Sequence, residues 1–318
     1  MIGTDGGTQG DDDRMTRLTI FPLIYPYIEQ AAIYSEYQYT SFDGRTGFNV
    51  RYGNAWWNYA DAATAGTLDD EGRKRHSSVS TLRCPSRRGG GAVMANSGLT
   101  GNTEMTSGPQ GDYGIVITFI PTLPASSGTT TWYWKIGSNN TVGASAGHLV
   151  SSDLSPFRPA LLTAGDGNTW QPRDSMSWWQ DGTSNQILFG EKHIPVTLVG
   201  LCSAEGAAPG EPEGDCSYLN FGERKVRSVS RIFMQEGTGM AAAPTFTYIT
   251  LAKGPDQPIT TGTTMRTDQF GSFHPGIVNF LLGDGAVKAI TVTTPNSATY
   301  PFLFSLGRVD SGAVVSLP

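Results

Sequence analysis

At 318 residues the chain is long enough to bury the core of one large domain or two ordinary ones, and 40 glycines, 19 prolines and only 16% charged residues favour many short strands over long helices. The formal net charge of −6 comes with no basic cluster beyond Arg73-Lys74-Arg75-His76 and Arg87-Arg88, which sets a nucleic-acid partner aside. No stretch approaches the roughly 20 apolar residues needed to span a bilayer, and the start MIGTDGGTQGDDDR lacks the basic and apolar regions of a signal peptide.

Residues 1–14, acidic and glycine-rich, read as a disordered tail or an expression junction, because they cannot bury enough apolar surface to offset their ordering entropy. Residues 15–318 then form a single domain. The segment PLIYPYIEQAAIYSEYQ predicts one helix starting near Pro26, with Tyr27, Ala31 and Tyr34 on one stripe. A second short helix is expected around Trp56 to Ala63. SVSTLRCPS alternates toward a strand that stops at Pro85. DYGIVITFI reads as a buried strand, and DGTSNQILFGEKHI as a turn followed by a strand from Gln186 to His193. In that turn Asp181, Gly182, Thr183, Ser184 and Asn185 are residues whose side chains bond their own backbone or tolerate unusual dihedrals. Residues 195–265 look like an insertion with two candidate strands, RSVSRIFM and TFTYITLA. YPFLFSLGRVDSGAVVSLP closes the chain with a short helix or turn and a final strand.

The stretch HPGIVNFLLGDG, His274 to Gly285, predicts a hairpin. An Asp-Gly pair between two strand-like runs favours a two-residue turn at Asp284-Gly285, which would set Leu282 against Val287, Phe280 against Ala289 and Val278 against Thr291. Asn279 and Lys288 would fall on the other face. Ten residues of strand put His274 roughly 30 Å from Asp284, so the two cannot share a metal ion or a proton relay. Glu191 and His274 flank strands that could be neighbours, and a hydrogen bond between them is the expected role rather than an acid–base pair.

Cys202 and Cys216 bracket a loop rich in glycine, proline and acid. They are expected to form a disulfide, worth about 3 kcal/mol in the chain-entropy model, with two free thiols as the alternative. Cys84 is then alone, and none of the three cysteines has metal-ligand spacing. Trp56, Trp57, Trp132, Trp134, Trp178 and Trp179 offer flat rings that could stack on sugars, or else pack inward. The loops at Gly165-Asp166-Gly167-Asn168 and Asp181 offer oxygen atoms for calcium, without EF-hand spacing. There is no GxSxG, HExxH or phosphate-binding glycine loop, and the four histidines stand at 76, 148, 193 and 274.

Four pieces taken in order, FPLIYPYIEQAAIY, STLRCPSRR, DGTSNQILFGEKH and FGSFHPGIVNFLLGDGAVKAI, resemble the DUF1559 family, large in planctomycete bacteria, with its prepilin-type processing-associated H-X9-DG domain. His274, nine residues, then Asp284-Gly285 match that pattern. The resemblance implies a β-rich α+β fold, with a pilin- or pseudopilin-like antiparallel sheet, one N-terminal helix and large loop insertions. It also implies an extracellular or cell-surface protein that contacts other proteins or copies of itself and does no chemistry, with His274, Asp284, Gly285, Asp181, Gly182, Asn185, Glu191, Cys84 and Pro85 as structural motif residues. Family members begin with a prepilin leader and a hydrophobic helix. Neither precedes Met15, trimming is the expected reason, and contact with a membrane would run only through that helix. A cysteine in the same N-terminal segment would be the partner of Cys84 in a longer chain. Carbohydrate binding through the tryptophans is the alternative function, a secreted hydrolase a further one. No cofactor is expected beyond the calcium alternative.

Overall fold

The computed structural model describes residues 20–36, 75, 79–88, 109–120, 155–157, 161–162, 170–171, 175–200, 215, 230–236, 246–257 and 269–312. The helix around residues 56–63, the final strand beyond residue 312, Cys202, Cys216, Trp56, Trp57, Trp132, Trp134 and the loop at 165–168 lie outside them.

The centre of the fold is a six-stranded sheet. Its members are β1 (Tyr113–Ile120), β4 (Ile187–Glu191), β5 (Ser230–Glu236), β6 (Phe246–Tyr248), β7 (Ile277–Leu282) and β8 (Val287–Thr291), in the order β6-β5-β1-β4-β7-β8. A separate two-stranded ladder joins β2 (Leu161–Leu162) to β3 (Trp170–Gln171). The fold is α+β and β-rich. Four neighbours, β1, β4, β7 and β8, run antiparallel, but β5 lies parallel to β1, so the expected purely antiparallel sheet is corrected to a mixed one. The stretch read as an insertion supplies two of the six strands, β5 and β6.

The two faces of the sheet are covered differently. A kink in the β4–β7 register between Ile187 and Phe189 lets Ile187 pair with Leu282 and Gly190 with Phe280, while Phe189 pairs with Leu281. Cross-strand partners share a face, so Ile187 and Gly190 join Val278, Phe280 and Leu282 on one side. There they meet Val116, Phe233, Phe270, Ile290, and Leu303 and Leu306 of helix α3 (Phe302–Gly307). Gly190 is required at this point: a Cβ there would stand 2.5 Å from a Phe280 ring carbon and 2.7 Å from one of Phe270. On the other side Phe189 packs against Phe21 and Phe157 at ring-centroid distances of 5.9 and 5.3 Å. Two buried amides tie the core together. Asn296 Nδ2 donates to the carbonyls of Phe233 and Ile249, and Gln186 Nε2 to that of Leu306.

Several local expectations change. The expected single N-terminal helix is two, α1 (Ile20–Ile24) and α2 (Ala31–Glu36), separated by a 3-10 turn over Tyr25–Ile28 that carries Pro26 in its first turn. Glu29 ends that turn in the left-handed region at φ 62, and the amides of Glu29 and Gln30 both donate to the Tyr25 carbonyl, which is how helical segments stop. The buried residues here are Ile20, Phe21, Tyr25 and Ile33, whereas Tyr27 is 85% exposed, so the stripe proposed through Tyr27, Ala31 and Tyr34 is not the packed one. Within the stretch expected to be a strand, Ser80–Leu82 form a 3-10 turn instead. The Leu82 carbonyl accepts the Asp112 amide and the Cys84 amide is taken by the Asp112 carboxylate, so no ladder partner is needed. Among the described residues no helix is long and apolar enough to cross a membrane.

The hairpin of β7 and β8 forms, one residue away from the expected register. Phe280 pairs with Lys288, Val278 with Ile290 and Leu281 with Val287. The Leu282 amide donates to Ala286 and the Gly285 amide to Leu282, closing a three-residue loop of Gly283, Asp284 and Gly285. Only Gly285 takes a positive φ, 86°; Asp284 does not. This is the three-residue hairpin that ends on a left-handed glycine rather than the two-residue turn that needs positive φ at both centres. Because side chains alternate with period two, the slip turns β8 over: Ile290 is buried, while Val287, Ala289 and Thr291 face outward.

Candidate functional site

One corner of the sheet, where β1 begins and β4 ends, gathers most of the buried charge. Pro85 occupies the second position of a turn in which the Arg87 amide donates to the Cys84 carbonyl, with proline's fixed φ suiting that place. The turn aims Cys84, Arg87 and Arg88 at Asp112, the residue that leads into β1. Asp112 is wholly buried. Its Oδ2 accepts the Cys84 amide at 2.6 Å, and its Oδ1 accepts Arg87 Nη1 and Arg88 Nε, each at 2.8 Å. Arg88 also donates to Gln110 and grips both carboxylate oxygens of the equally buried Asp215. Arg87 reaches the Lys192 carbonyl and lies over the Phe273 ring at 4.8 Å. Burial pushes the Asp112 carboxyl up, but Arg88 and Arg87 outweigh it and hold the group below the ordinary aspartate range. Burial would likewise lower Arg88, and the paired carboxylates of Asp215 and Asp112 reverse that.

Beside this network stand the motif residues. Glu191 is 2% exposed; its Oε2 accepts the Asn279 amide at 2.7 Å, and its Oε1 lies 3.2 Å from His274 Nε2. His274, partly open to solvent, is held by its own amide donating to Ser272 Oγ. Cys84 is free, 1% exposed, and its Sγ lies 3.7 Å from the same His274 Nε2. Burial is the main cause that pushes the Cys84 thiol up, so alone it is protonated at neutral pH. Tyr113, across from Glu191 in the β1–β4 ladder, is pushed up to about 12 by burial, with Cys84 and Glu191 adding to the effect.

A nucleophile–base–orienter relay needs thiol and carboxylate on opposite ring nitrogens. Here both address Nε2, so the corner is not arranged as a cysteine hydrolase. What the chain does bring together is three donor atoms, from Cys84, Glu191 and His274, all within 4.8 Å of one another. Sequence spacing gave Cys84 no ligand partners because the three residues come from three separated segments. The buried roles of Arg87, Arg88, Asp112 and Asp215 had no sequence signal either: Arg87-Arg88 read as a small basic pair, and Asp215 as part of a loop rich in glycine, proline and acid.

The other motif residues act elsewhere. Asp181 does not bond its own backbone; its carboxylate accepts the Ser311 amide, the Ser311 hydroxyl and the Gly312 amide at 2.6–2.9 Å, fastening the segment after α3. Asn185 Nδ2 donates to the Asp181 carbonyl across the turn that Gly182 opens. Asp284 Oδ1 accepts the Ala286 amide in the exposed hairpin loop, at the far end of β7 from His274. Trp178 and Trp179 are half-buried, their indole N–H groups donating to the Ser155 and Pro156 carbonyls.

Neither the curated proteins nor the solved structures yield a significant match to the sequence. Residues 3–297 match the model of the family described as "Protein of unknown function (DUF1559)". With that match covering nearly the whole chain, and with the H-X9-DG residues placed at the two ends of β7, the protein belongs to the DUF1559 family.

Proposed function

We propose that the protein is the head of an exported, pilin-like or pseudopilin-like surface protein, a module that makes contacts with other proteins or further copies of itself and carries out no reaction. One observation carries the reading: the buried or partly buried carboxylates at and beside the motifs hold segments together. Glu191 anchors β7 through the Asn279 amide, Asp181 anchors the segment after α3, and Asp112 anchors the Cys84 turn. Groups engaged in this way support a rigid surface, and Glu191, which also faces His274, is held by the Asn279 amide at its other oxygen. The sheet, covered on both faces, is suited to display loops.

The test is location. The protein, expressed in its own host from the complete gene with an epitope in an exposed loop, is expected to be digested by protease added to intact cells. Protection equal to that of a cytoplasmic marker would overturn the reading.

A further inference from the structure

We propose that Cys84, Glu191 and His274 bind a zinc ion, which cross-links the turn after residue 82, the end of β4 and the segment leading into β7. This stands apart from the reading of the protein as a surface module, since neither depends on the other.

The first argument is one of valence. His274 Nε2 has a single site: it either donates a hydrogen to Glu191 or accepts one from Cys84, and it cannot do both. Yet both atoms converge on it, at 3.2 and 3.7 Å. A metal ion resolves the conflict by taking an electron pair from each of the three.

The second argument is distance. Zinc bonds of about 2.3 Å to sulfur and about 2.0–2.1 Å to nitrogen and oxygen, at tetrahedral angles, place sulfur about 3.6 Å from nitrogen and nitrogen about 3.3 Å from oxygen. The two separations from His274 Nε2 are 3.7 and 3.2 Å, and all three donor atoms lie within 4.8 Å of one another. The same nitrogen–oxygen spacing is long for a charge-assisted hydrogen bond, which prefers about 2.7–2.9 Å.

The donor set selects the metal. A thiolate with an imidazole and a carboxylate suits zinc, whereas calcium and magnesium take oxygen ligands. The thiolate and carboxylate together balance a 2+ charge in a corner where the Arg87 and Arg88 charges are already matched by Asp112 and Asp215. Glu191 is oriented from behind by the Asn279 amide on its other oxygen, and the backbone that carries Cys84 and His274 is fixed by their amides on Asp112 and Ser272. His274 is 30% exposed, so the fourth position opens toward solvent and takes a water molecule.

Cobalt titration of the full chain, followed by zinc displacement, tests the site. One equivalent of cobalt should produce a thiolate-to-cobalt charge-transfer band that zinc abolishes, and Cys84→Ser should lose the band and bind zinc at least tenfold more weakly. X-ray absorption on the zinc-loaded unmodified chain gives the same decision if Cys84→Ser fails to fold: one sulfur among nitrogen and oxygen ligands is expected. Absence of the band, a band that survives in Cys84→Ser, or a shell with no sulfur or with two or more would overturn the proposal.

Discussion

At the His274 end of β7 the titratable side chains reach far along the chain: His274 to Glu191 and Cys84, Asp112 to the Cys84 amide and to Arg87 and Arg88. At the other end, Asp284 reaches two residues, to the Ala286 amide, and is exposed. One motif thus joins two kinds of structure. The buried end is a set of charges that stand only because each has its counterpart; the exposed end is a loop shaped by local dihedrals. Removing a partner should be costly at the first and cheap at the second, since burial decides how much an unmatched group costs.

Four substitutions would break or sharpen that contrast. Asp112→Ala leaves two guanidinium groups facing the gap it vacates in the interior, and should destabilise the protein by about 3–5 kcal/mol in urea unfolding; a loss under about 1 kcal/mol would show that the buried corner is no stronger than the loop. Glu191→Ala, tested free of metal, strands the Asn279 amide and should cost about 1–3 kcal/mol. Its local signature is faster hydrogen exchange at Asn279, and unchanged exchange there would refute the anchoring role. Gly285→Ala puts a side chain at φ 86 and should cost about 1–2 kcal/mol through backbone strain alone, read as a lower melting temperature with the buried corner's exchange unaltered. Asp284→Ala removes one exposed hydrogen bond and should cost about 0.5–1 kcal/mol. If Asp284→Ala matched Asp112→Ala, the comparison between the two ends would collapse.

The two ends also differ in how far they were legible. Val278, Phe280 and Leu282 fall on one apolar face when the strand alternates up to the Asp-Gly turn, and all three are buried. Asp284-Gly285 pointed to a hairpin between the right strands but suggested the wrong loop length, since Asp-Gly suits both a two-residue turn and the last two places of a three-residue one. The difference of one residue moved Ile290 inward and Val287, Ala289 and Thr291 outward. At the other end Glu191 and His274 were paired on the strength of flanking strands, and they do meet. Cys84 was left without a neighbour because its contact with His274 spans 190 positions.

By itself the sequence determined what depends on neighbours in the chain: the β1 and β4 strands, the β7–β8 hairpin, the left-handed glycine at 285 and the ordered motifs that mark the DUF1559 family. Dihedral preferences and period-two alternation act over a few residues, and a few residues suffice to read them. Only the tertiary structure decided that β5 lies parallel to β1, that β8 presents Ile290 to the core, that Arg87 and Arg88 are matched by Asp112 and Asp215 inside the protein, and that Cys84, Glu191 and His274 share one point. Those arrangements are fixed by pairing and burial between segments that only the completed fold brings side by side, where the cost of an unmatched buried charge selects one arrangement over the rest.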